Sequence, residues 1–157
     1  MKALSFQIPN EYGNYLGEIL KPINMSKYNW WFDDVESYLK KTENKFALPE
    51  DIVPLFTEEI NHMNSSNLQS YFEDNTYYLI FADIKAFPEG SEIKMIKTFG
   101  EFMESDCELS MLIIDQQYVE IFCKQEEMLQ QLYQNAVEHN FENVRYINVE
   151  NDTMLSV

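Results

Sequence analysis

The strongest constraint on the fold comes from two apolar runs that are separated by only a few polar residues. The runs cover residues 109–114 and 118–124, and Asp115, Gln116 and Gln117 connect them. A connection this short joins antiparallel strands, because parallel strands need a crossover of about a dozen or more residues. Gln-Gln is not the Asn-Gly that a primed turn prefers, so a longer loop or a bulge is an alternative to a two-residue loop. The sequence therefore predicts a β-hairpin in the last third of the chain.

Helical and strand patterns alternate along the rest of the chain. Three segments have apolar residues at helical spacing, at residues 12–20, 50–62 and 128–137. The Asn-Ser-Ser-Asn stretch from residue 64 is expected to end the second of them. Five other segments have the composition or the alternation of strands, at residues 3–8, 28–32, 35–39, 76–87 and 144–149. Residues 93–103 fit either a strand or a short helix, and residues 35–39 fit either a strand or one turn of helix.

Hairpins mixed with helices indicate an α+β fold, with helices packed on a predominantly antiparallel or mixed sheet, rather than a doubly wound parallel sheet. The chain has 157 residues and is 45% hydrophobic, which is enough apolar material for one core. We predict a single domain over residues 1–150, followed by a frayed tail over residues 151–157.

The charge balance excludes several classes of partner. Acidic residues outnumber basic ones by 27 to 11, which gives a formal net charge of −16. Proteins that bind bare nucleic acid depend on Lys and Arg to replace counterions on phosphates, so a nucleic-acid partner is disfavoured. Anionic lipid headgroups would repel the chain, and no apolar run approaches the length of a membrane span. Residues 98–157 carry twelve of the acidic residues and two of the basic ones, a distribution that favours a basic protein partner.

The two cysteines indicate a reducing compartment. Cys107 and Cys123 are too few for a disulfide framework and form no C-x-x-C pair. The first residues reach Pro9 before an export-type apolar stretch accumulates, so we expect a cytoplasmic protein. Asp106 and Glu108 flank Cys107 and are expected to raise the pKa of its thiol, while Cys123 is expected in the core.

Known catalytic and cofactor motifs are missing from the sequence. It contains no Walker loop, no G-x-G-x-x-G, no G-x-S-x-G and no H-E-x-x-H. We therefore predict no cofactor, no metal and no catalytic residue, and an enzyme is disfavoured.

The candidate partner-binding residues are Trp30, Trp31, Asp115, Tyr118 and Glu120. Adjacent residues of a strand point to opposite faces, so one tryptophan can be buried while the other is exposed. With a two-residue hairpin loop, Asp115, Tyr118 and Glu120 share the outward face of the hairpin. Exposed aromatic residues bordered by acids are typical of a recognition surface. These residues predict a non-enzymatic interaction module of the inhibitor or immunity type.

A second hypothesis rests on Glu58, Glu59 and His62, which place two carboxylates one helical turn from an imidazole. It predicts a small-molecule-binding protein or an enzyme with a cleft near His62. Ferritin-like metal sites need Glu-x-x-His twice, and the other histidine, His139, has Ala136 three residues before it. A third alternative is self-association through a sheet edge, and the oligomeric state is left open.

Gly13 and Gly17 have G-x-x-x-G spacing within the first predicted helix. In a soluble chain this spacing predicts close approach of the helix to a packed neighbour, here the sheet, rather than membrane dimerisation. Each glycine costs a helix about 1 kcal/mol relative to alanine, so a packing reason is expected.

Several short stretches carry a resemblance to a known family. They are I-P-N-E-Y-G at residues 8–13, L-K-P-I at 20–23, D-C-E at 106–108, Y-V-E-I with C-K between residues 118 and 124, and E-N-D-T at 150–153. With them the chain resembles a small family of uncharacterised bacterial proteins, known from Bacillus-like organisms as a domain of unknown function. The stretches span the chain, so the resemblance implies that one domain is the whole family unit. It implies no activity, cofactor or catalytic residue.

Overall fold

A computed structural model describes residues 2–40, 52–57 and 63–156. In these ranges one sheet has seven strands: β1 (Lys2–Gln7), β2 (Tyr28–Lys40), β3 (Ile52–Pro54), β4 (Tyr77–Pro88), β5 (Leu109–Ile114), β6 (Tyr118–Cys123) and β7 (Glu142–Asn148). The strand order is β3-β2-β4-β5-β6-β1-β7, and each of the described ladders is antiparallel. The α-helices of the same ranges are α1 (Tyr15–Ile19), α2 (Ser65–Asp74), α3 (Phe99–Glu104) and α4 (Glu126–Glu138). The predicted α+β architecture is confirmed.

The predicted hairpin is formed by β5 and β6, but its loop has three residues rather than two. Ile114 pairs with Tyr118, which leaves Asp115, Gln116 and Gln117 in the loop. Asp115 (φ 50°) and Gln116 (φ 73°) both adopt the left-handed region, which reverses the chain within this short connection. Ile114, and not Ile113 as a two-residue loop would require, therefore shares a face with Tyr118.

One face of the sheet, which we call the inner face, carries the larger hydrophobic core. Helices α1, α2 and α4 pack against this side. The hydroxyl of Tyr77 connects α1 and α2 to β4, because it donates to the Phe72 carbonyl at 2.6 Å and accepts from the Gly17 N–H at 3.2 Å. Strand residues in this core include Leu4, Phe6, Ile84, Met111, Ile113, Val119 and Ile121.

The opposite side, the outer face, is covered over only part of its area. Helix α3 packs there, and Phe99 and Phe102 bury Phe87 and Phe122 of the sheet in a second, smaller core. Leu155 closes this second core and is fully buried. The part of the outer face nearer the hairpin loop stays open to solvent at Tyr118.

Residues 151–156, which we call the C-terminal strap, are bound to the outer face, whereas the sequence predicted a frayed tail. The Phe99 N–H donates to the Thr153 carbonyl and the Leu155 N–H donates to the Lys97 carbonyl, both at 2.8 Å. A single apolar anchor in a polar stretch produces no periodic pattern, so sequence periodicity did not reveal this contact.

The helix predicted over residues 50–62 is wrong where the structure describes that range. Ile52–Pro54 forms β3 at the edge of the described sheet, a position that tolerates a proline. The Asn-Ser-Ser-Asn stretch begins a helix instead of ending one. The side chain of Asn64 accepts a hydrogen bond from the Ser66 N–H at 3.1 Å and so caps α2.

Two other elements differ in detail from their predictions. Strand β2 is continuous over 13 residues, with register shifts around Glu36 where the sequence predicted a break between two strands. Helix α4 is present as predicted, and Asn140 follows its end in the left-handed region (φ 59°). Val137 was expected to face inward but is 45% exposed. Asn135 is buried in its place and donates its side-chain amide to the Glu18 carbonyl at 2.7 Å.

Candidate functional site

The two adjacent tryptophans lie on opposite faces of β2, as the sequence predicted. Trp30 pairs with Ala86 and is buried in the inner core, where its indole N–H donates to the Met25 carbonyl at 2.9 Å. Trp31 pairs with Lys85 on the outer face and is 44% exposed. Trp30 is therefore a core residue, and Trp31 is the one available for contact.

A shallow groove lies beside Trp31. It has a volume of about 230 Å³, and Ile93, another apolar residue that is 41% exposed, forms part of its wall. The residues that line it are Asn29, Trp30, Trp31, Met63, Ser65, Leu68 and Ile93. This groove extends the apolar surface that Trp31 presents.

The outer face also carries carboxylates in a row that crosses four strands. Asp33 pairs with Asp83, Asp83 pairs with Leu112, and Leu112 pairs with Glu120. Residues paired in this way share one face of a sheet. Trp31 lies two residues before Asp33, on the same face of β2. Neighbouring strands are about 4.8 Å apart, so the three spacings from β2 to β6 amount to about 14 Å. The structure thus places Trp31 and Glu120 on the same face, with two strands between them.

The hairpin loop holds Asp115 in an ordered position beside this row. The Gln116 N–H donates to the Ile80 carbonyl at 3.0 Å, and the Ile8 N–H donates to the Gln117 carbonyl at 2.9 Å. These bonds connect the loop to β4 on one side and to the end of β1 on the other. Asp115 at the loop is exposed, and Tyr118, the next residue after the loop, is 43% exposed.

We call the surface formed by Trp31, Asp33, Asp115, Tyr118 and Glu120 the acidic face. Of the five residues predicted from the sequence, Trp31, Tyr118 and Glu120 lie on this face of the sheet, Asp115 lies in the hairpin loop at its border instead of on the strand, and Trp30 points to the other face. Asp33 is added to this face by the sheet register, which pairs it with Asp83. The row continues from Glu120 through Ser5 to Arg145, where a basic residue on the edge strand β7 ends the acidic surface.

Glu120 is half-buried, and burial raises its pKa above the ordinary value of 4.5. Its contribution to stability is therefore fully present below the ordinary pKa and is lost as the pH rises through the raised one. We expect Glu120→Gln to remove this dependence. The free energy of unfolding of the variant, measured relative to that of the wild type, should therefore be higher at pH 7 than at pH 4. Urea unfolding at both pH values measures the difference.

The matched control for this prediction is Glu127→Gln, because Glu127 is exposed on α4 on the other side of the sheet. It removes the same charge from a site without burial. An equal pH-dependent gain in the two variants would show that general charge repulsion, and not the burial of Glu120, is responsible.

Sequence reasoning missed a buried polar cluster next to the acidic face. Lys85 and Asp83 form an ion pair whose side chains are 4% and 1% exposed. The Lys85 ammonium also donates to the Leu155 carbonyl of the C-terminal strap at 2.6 Å. Ser110 pairs with Lys85 across β4 and β5, and its buried hydroxyl has no hydrogen-bond partner among the described residues. Two opposite charges at i and i+2 in an apolar strand, Asp-Ile-Lys, are the signal that could have indicated this cluster.

A model of the family of proteins of unknown function DUF2691 matches residues 1–156. The chain belongs to this family. The Uncharacterized protein YncE of Bacillus subtilis (strain 168) is 38% identical to it over 160 residues, a match that covers 99% of this chain and 97% of the relative. No solved structure gives a significant match to the DUF2691 chain. The resemblance to a small bacterial family is confirmed, and the family description carries no activity.

The cysteines of the DUF2691 chain are not placed for nucleophilic chemistry. Burial raises the pKa of both thiols, Cys107 and Cys123, to about 11, so both are protonated at neutral pH. Cys123 lies in the core as predicted. The cause at Cys107 is burial rather than its flanking carboxylates, and the nearby Lys85 and Lys124 act in the opposite direction.

Glu58, Glu59 and His62, on which the second hypothesis rests, lie outside the described residues. In the parts of the DUF2691 chain that are described, no group of three or more His, Cys, Asp or Glu side chains could hold a metal ion. None of the helices in those parts is long and apolar enough to cross a membrane.

A larger cavity of about 410 Å³ lies at the beginning of α4, away from the acidic face. Lys2, Lys124 and Glu126 line it together with Cys123, Leu129 and Asn148. The carboxylate opposes the two ammonium groups, and the Lys124 ammonium already donates to the Ser105 carbonyl. The lining of this cavity therefore carries charges of both signs.

Proposed function

We propose that this DUF2691 chain is a non-enzymatic interaction module that binds a basic protein through its acidic face. The observation that carries the proposal is that exposed aromatic side chains and carboxylates lie on the same face of the sheet, on both sides of the buried residues Asp83 and Leu112. Trp31 and Tyr118 are 44% and 43% exposed, and Asp33, Asp115 and Glu120 lie among them. Aromatic anchors supply contact area, and carboxylates supply attraction for a cationic partner.

The charge of the whole chain supports the same kind of partner. A net charge of −16 creates a field that speeds the approach of a basic protein and repels an acidic one. A cytoplasmic setting fits the proposal, because Cys107 and Cys123 are free thiols and a reducing compartment keeps them so. The hypothesis of a ligand site near His62 has no comparable support in the described residues.

The test is capture of partners from a cell extract at low salt, with elution by a salt gradient, on four immobilised forms of the full chain. They are the wild type, Trp31→Ala, the double variant Asp115→Asn with Glu120→Gln, and a control. We expect the wild type to retain a basic protein stoichiometrically. The double variant should slow its association about ten-fold at low salt, and Trp31→Ala should weaken its affinity about thirty-fold.

The control is the double variant Glu127→Gln with Glu138→Gln, which changes the net charge equally but acts on exposed residues of α4, which packs on the inner face. Asn is chosen for Asp115 because it tolerates the left-handed backbone there. The control should retain the same protein as the wild type. Retention that is equal on all four forms, or lost equally on both double variants, would contradict the proposal.

A further inference from the structure

We propose that the edge of β7 that does not pair with β1, which we call the β7 edge, binds the same edge of a second copy of this chain. The two chains would then form a symmetric dimer with one continuous sheet. Strand β7 lies at one end of the described sheet, and β1 is its neighbour there. This surface is separate from the acidic face, and the inference does not rest on the proposed function.

The backbone hydrogen-bonding groups of alternate β7 residues point to the β7 edge. The Ile8 N–H donates to the Gln117 carbonyl in continuation of the ladder between β1 and β6. Even-numbered residues of β1 therefore direct these groups toward β6, and odd-numbered ones, such as Ser5, direct them toward Arg145 and its neighbours on β7. The β7 residues left pointing outward are Val144, Tyr146 and Asn148. No described residue pairs with them on that side.

The two edges of the described sheet differ in their protection against pairing with another chain. Strand β3, at the far end, has three residues and contains Pro54, and short strands and prolines discourage such pairing. Strand β7 has seven residues and contains neither proline nor lysine. Its irregularity, at Asn143 (φ 54°), lies near its beginning. Residues 144–148 therefore keep a regular edge.

An apolar flank of α4 lies beside the β7 edge. Tyr133 stacks on Tyr146 with the ring centroids 4.7 Å apart, and Val137, one turn further along α4, is 45% exposed. The opposite flank of α4 is occupied, because Asn135 donates there to the Glu18 carbonyl of α1. Val137 and Tyr133 thus extend the surface of the β7 edge, and in the dimer they would face the same residues of the second copy.

The charge of this surface argues for a second copy as its occupant. The net charge of −16 makes two copies repel each other over most of their surfaces. Strand β7 is neutral as a whole, because it contains one acid, Glu142, and one base, Arg145. Beside it, the Lys2 ammonium lies 4.1 Å from the centroid of the Tyr146 ring. Two copies can therefore meet along β7 without a row of opposed carboxylates.

Two-fold symmetry selects the register of the pairing, because an isologous interface presents the same residues on both sides of the axis. With the axis at Tyr146, Val144 pairs with Asn148 of the second copy, and every outward-pointing residue of β7 forms hydrogen bonds. Arg145 then lies opposite Ile147 of the second copy. An axis at Arg145 would instead place two arginines directly opposite each other, which is destabilising.

Sedimentation equilibrium of the full chain, over a range of concentrations, tests this inference. We expect a dimer at about 0.15 M salt, and we expect its dissociation constant to fall at about 0.5 M, because salt screens the repulsion between the copies. Binding of a basic protein to the acidic face should weaken with salt instead. The opposite salt dependences distinguish failure of this inference from failure of the proposed function.

Three lysine variants locate the interface. Val144→Lys places at the β7 edge the residue that protects natural edge strands, and should raise the dissociation constant at least about ten-fold. Val137→Lys acts on the exposed flank of α4 and should raise it about three-fold, which keeps the test decisive if the first variant fails to fold. Gln131→Lys is the matched control, because Gln131 is exposed one turn before Asn135, on the flank away from β7. All three make the net charge less negative, so charge alone would strengthen the dimer.

Amide hydrogen exchange identifies the edge directly. Exchange at Val144, Tyr146 and Asn148 should slow as the concentration of the chain rises, since these amides become paired in the dimer. A chain that stays monomeric, or a dimer that the three lysine variants weaken equally or not at all, would overturn the proposal. Slower exchange only after addition of the basic protein captured on the acidic face would also overturn it, because that partner would then occupy the edge.

Discussion

Replacing Lys85 with methionine should lower the free energy of unfolding by about 3–5 kcal/mol. The Lys85 and Asp83 side chains are 4% and 1% exposed, so the pair is shielded from water. Methionine keeps most of the apolar stem but removes the positive charge from beside a buried carboxylate. It also removes the donor to the Leu155 carbonyl, which helps to hold the C-terminal strap. Urea unfolding at neutral pH measures the loss.

Two further variants separate the pair from a general effect of losing a lysine. Lys94→Met removes an ammonium from an exposed pair with Glu92, where the N–O distance is 3.9 Å, and should cost no more than about 1 kcal/mol. Asp83→Leu combined with Lys85→Met replaces both charges with apolar groups and should recover most of the stability. Equal losses at Lys85 and Lys94, or a double variant less stable than the single one, would contradict the buried-pair interpretation.

The hairpin and α4 could be predicted from the sequence because their patterns are local and dense. The apolar runs on both sides of Asp115 indicate two strands, and the helical stripe of residues 128–137 indicates one amphipathic helix. The loop length could not be predicted in the same way. It depends on the left-handed conformations of Asp115 and Gln116, and neither residue is a glycine that would mark the position.

The errors at Ile52–Pro54 and at Asn64 have a different physical origin. Asn and Ser satisfy free backbone N–H groups at the beginning of a helix and also occur in turns that end one, so their presence marks a boundary without its direction. The hydrogen bond from the Ser66 backbone N–H to the Asn64 side chain decides the direction here. The apolar residues before it were read with a helical period, although Ile52 and Val53 are β-branched residues that suit a strand.

The acidic face could be predicted only in part. The sequence indicates that one of two adjacent tryptophans is exposed, but the choice of Trp31 depends on which side the helices cover. Its position relative to Glu120 depends on the order of the strands, which no local pattern encodes. The same reason explains why the contact between Lys85 and Leu155 was missed, since 70 residues separate the two positions in sequence.

Gly17→Ala should lower the free energy of unfolding by about 1–3 kcal/mol, although alanine is the better helix former. A β-carbon at Gly17 would lie 2.9 Å from both the Glu73 α-carbon and the Phe72 carbonyl oxygen. These are backbone atoms of α2 and cannot rotate away. The G-x-x-x-G spacing correctly predicts a close approach, but the neighbour is α2 and not the sheet. The shift would also disturb the bond from the Gly17 N–H to Tyr77.

Gly13→Ala is the control, because it changes the other glycine of the motif outside α1. A β-carbon there would meet ring atoms of Tyr15 at 2.5 to 3.0 Å, and this partly exposed side chain can rotate. We therefore expect a loss below about 1 kcal/mol at Gly13, measured by thermal unfolding of both variants beside the wild type. If the two alanine variants lose the same free energy of unfolding, the contact of α1 with the α2 backbone is not the reason for a glycine at position 17, and the glycine spacing has another origin.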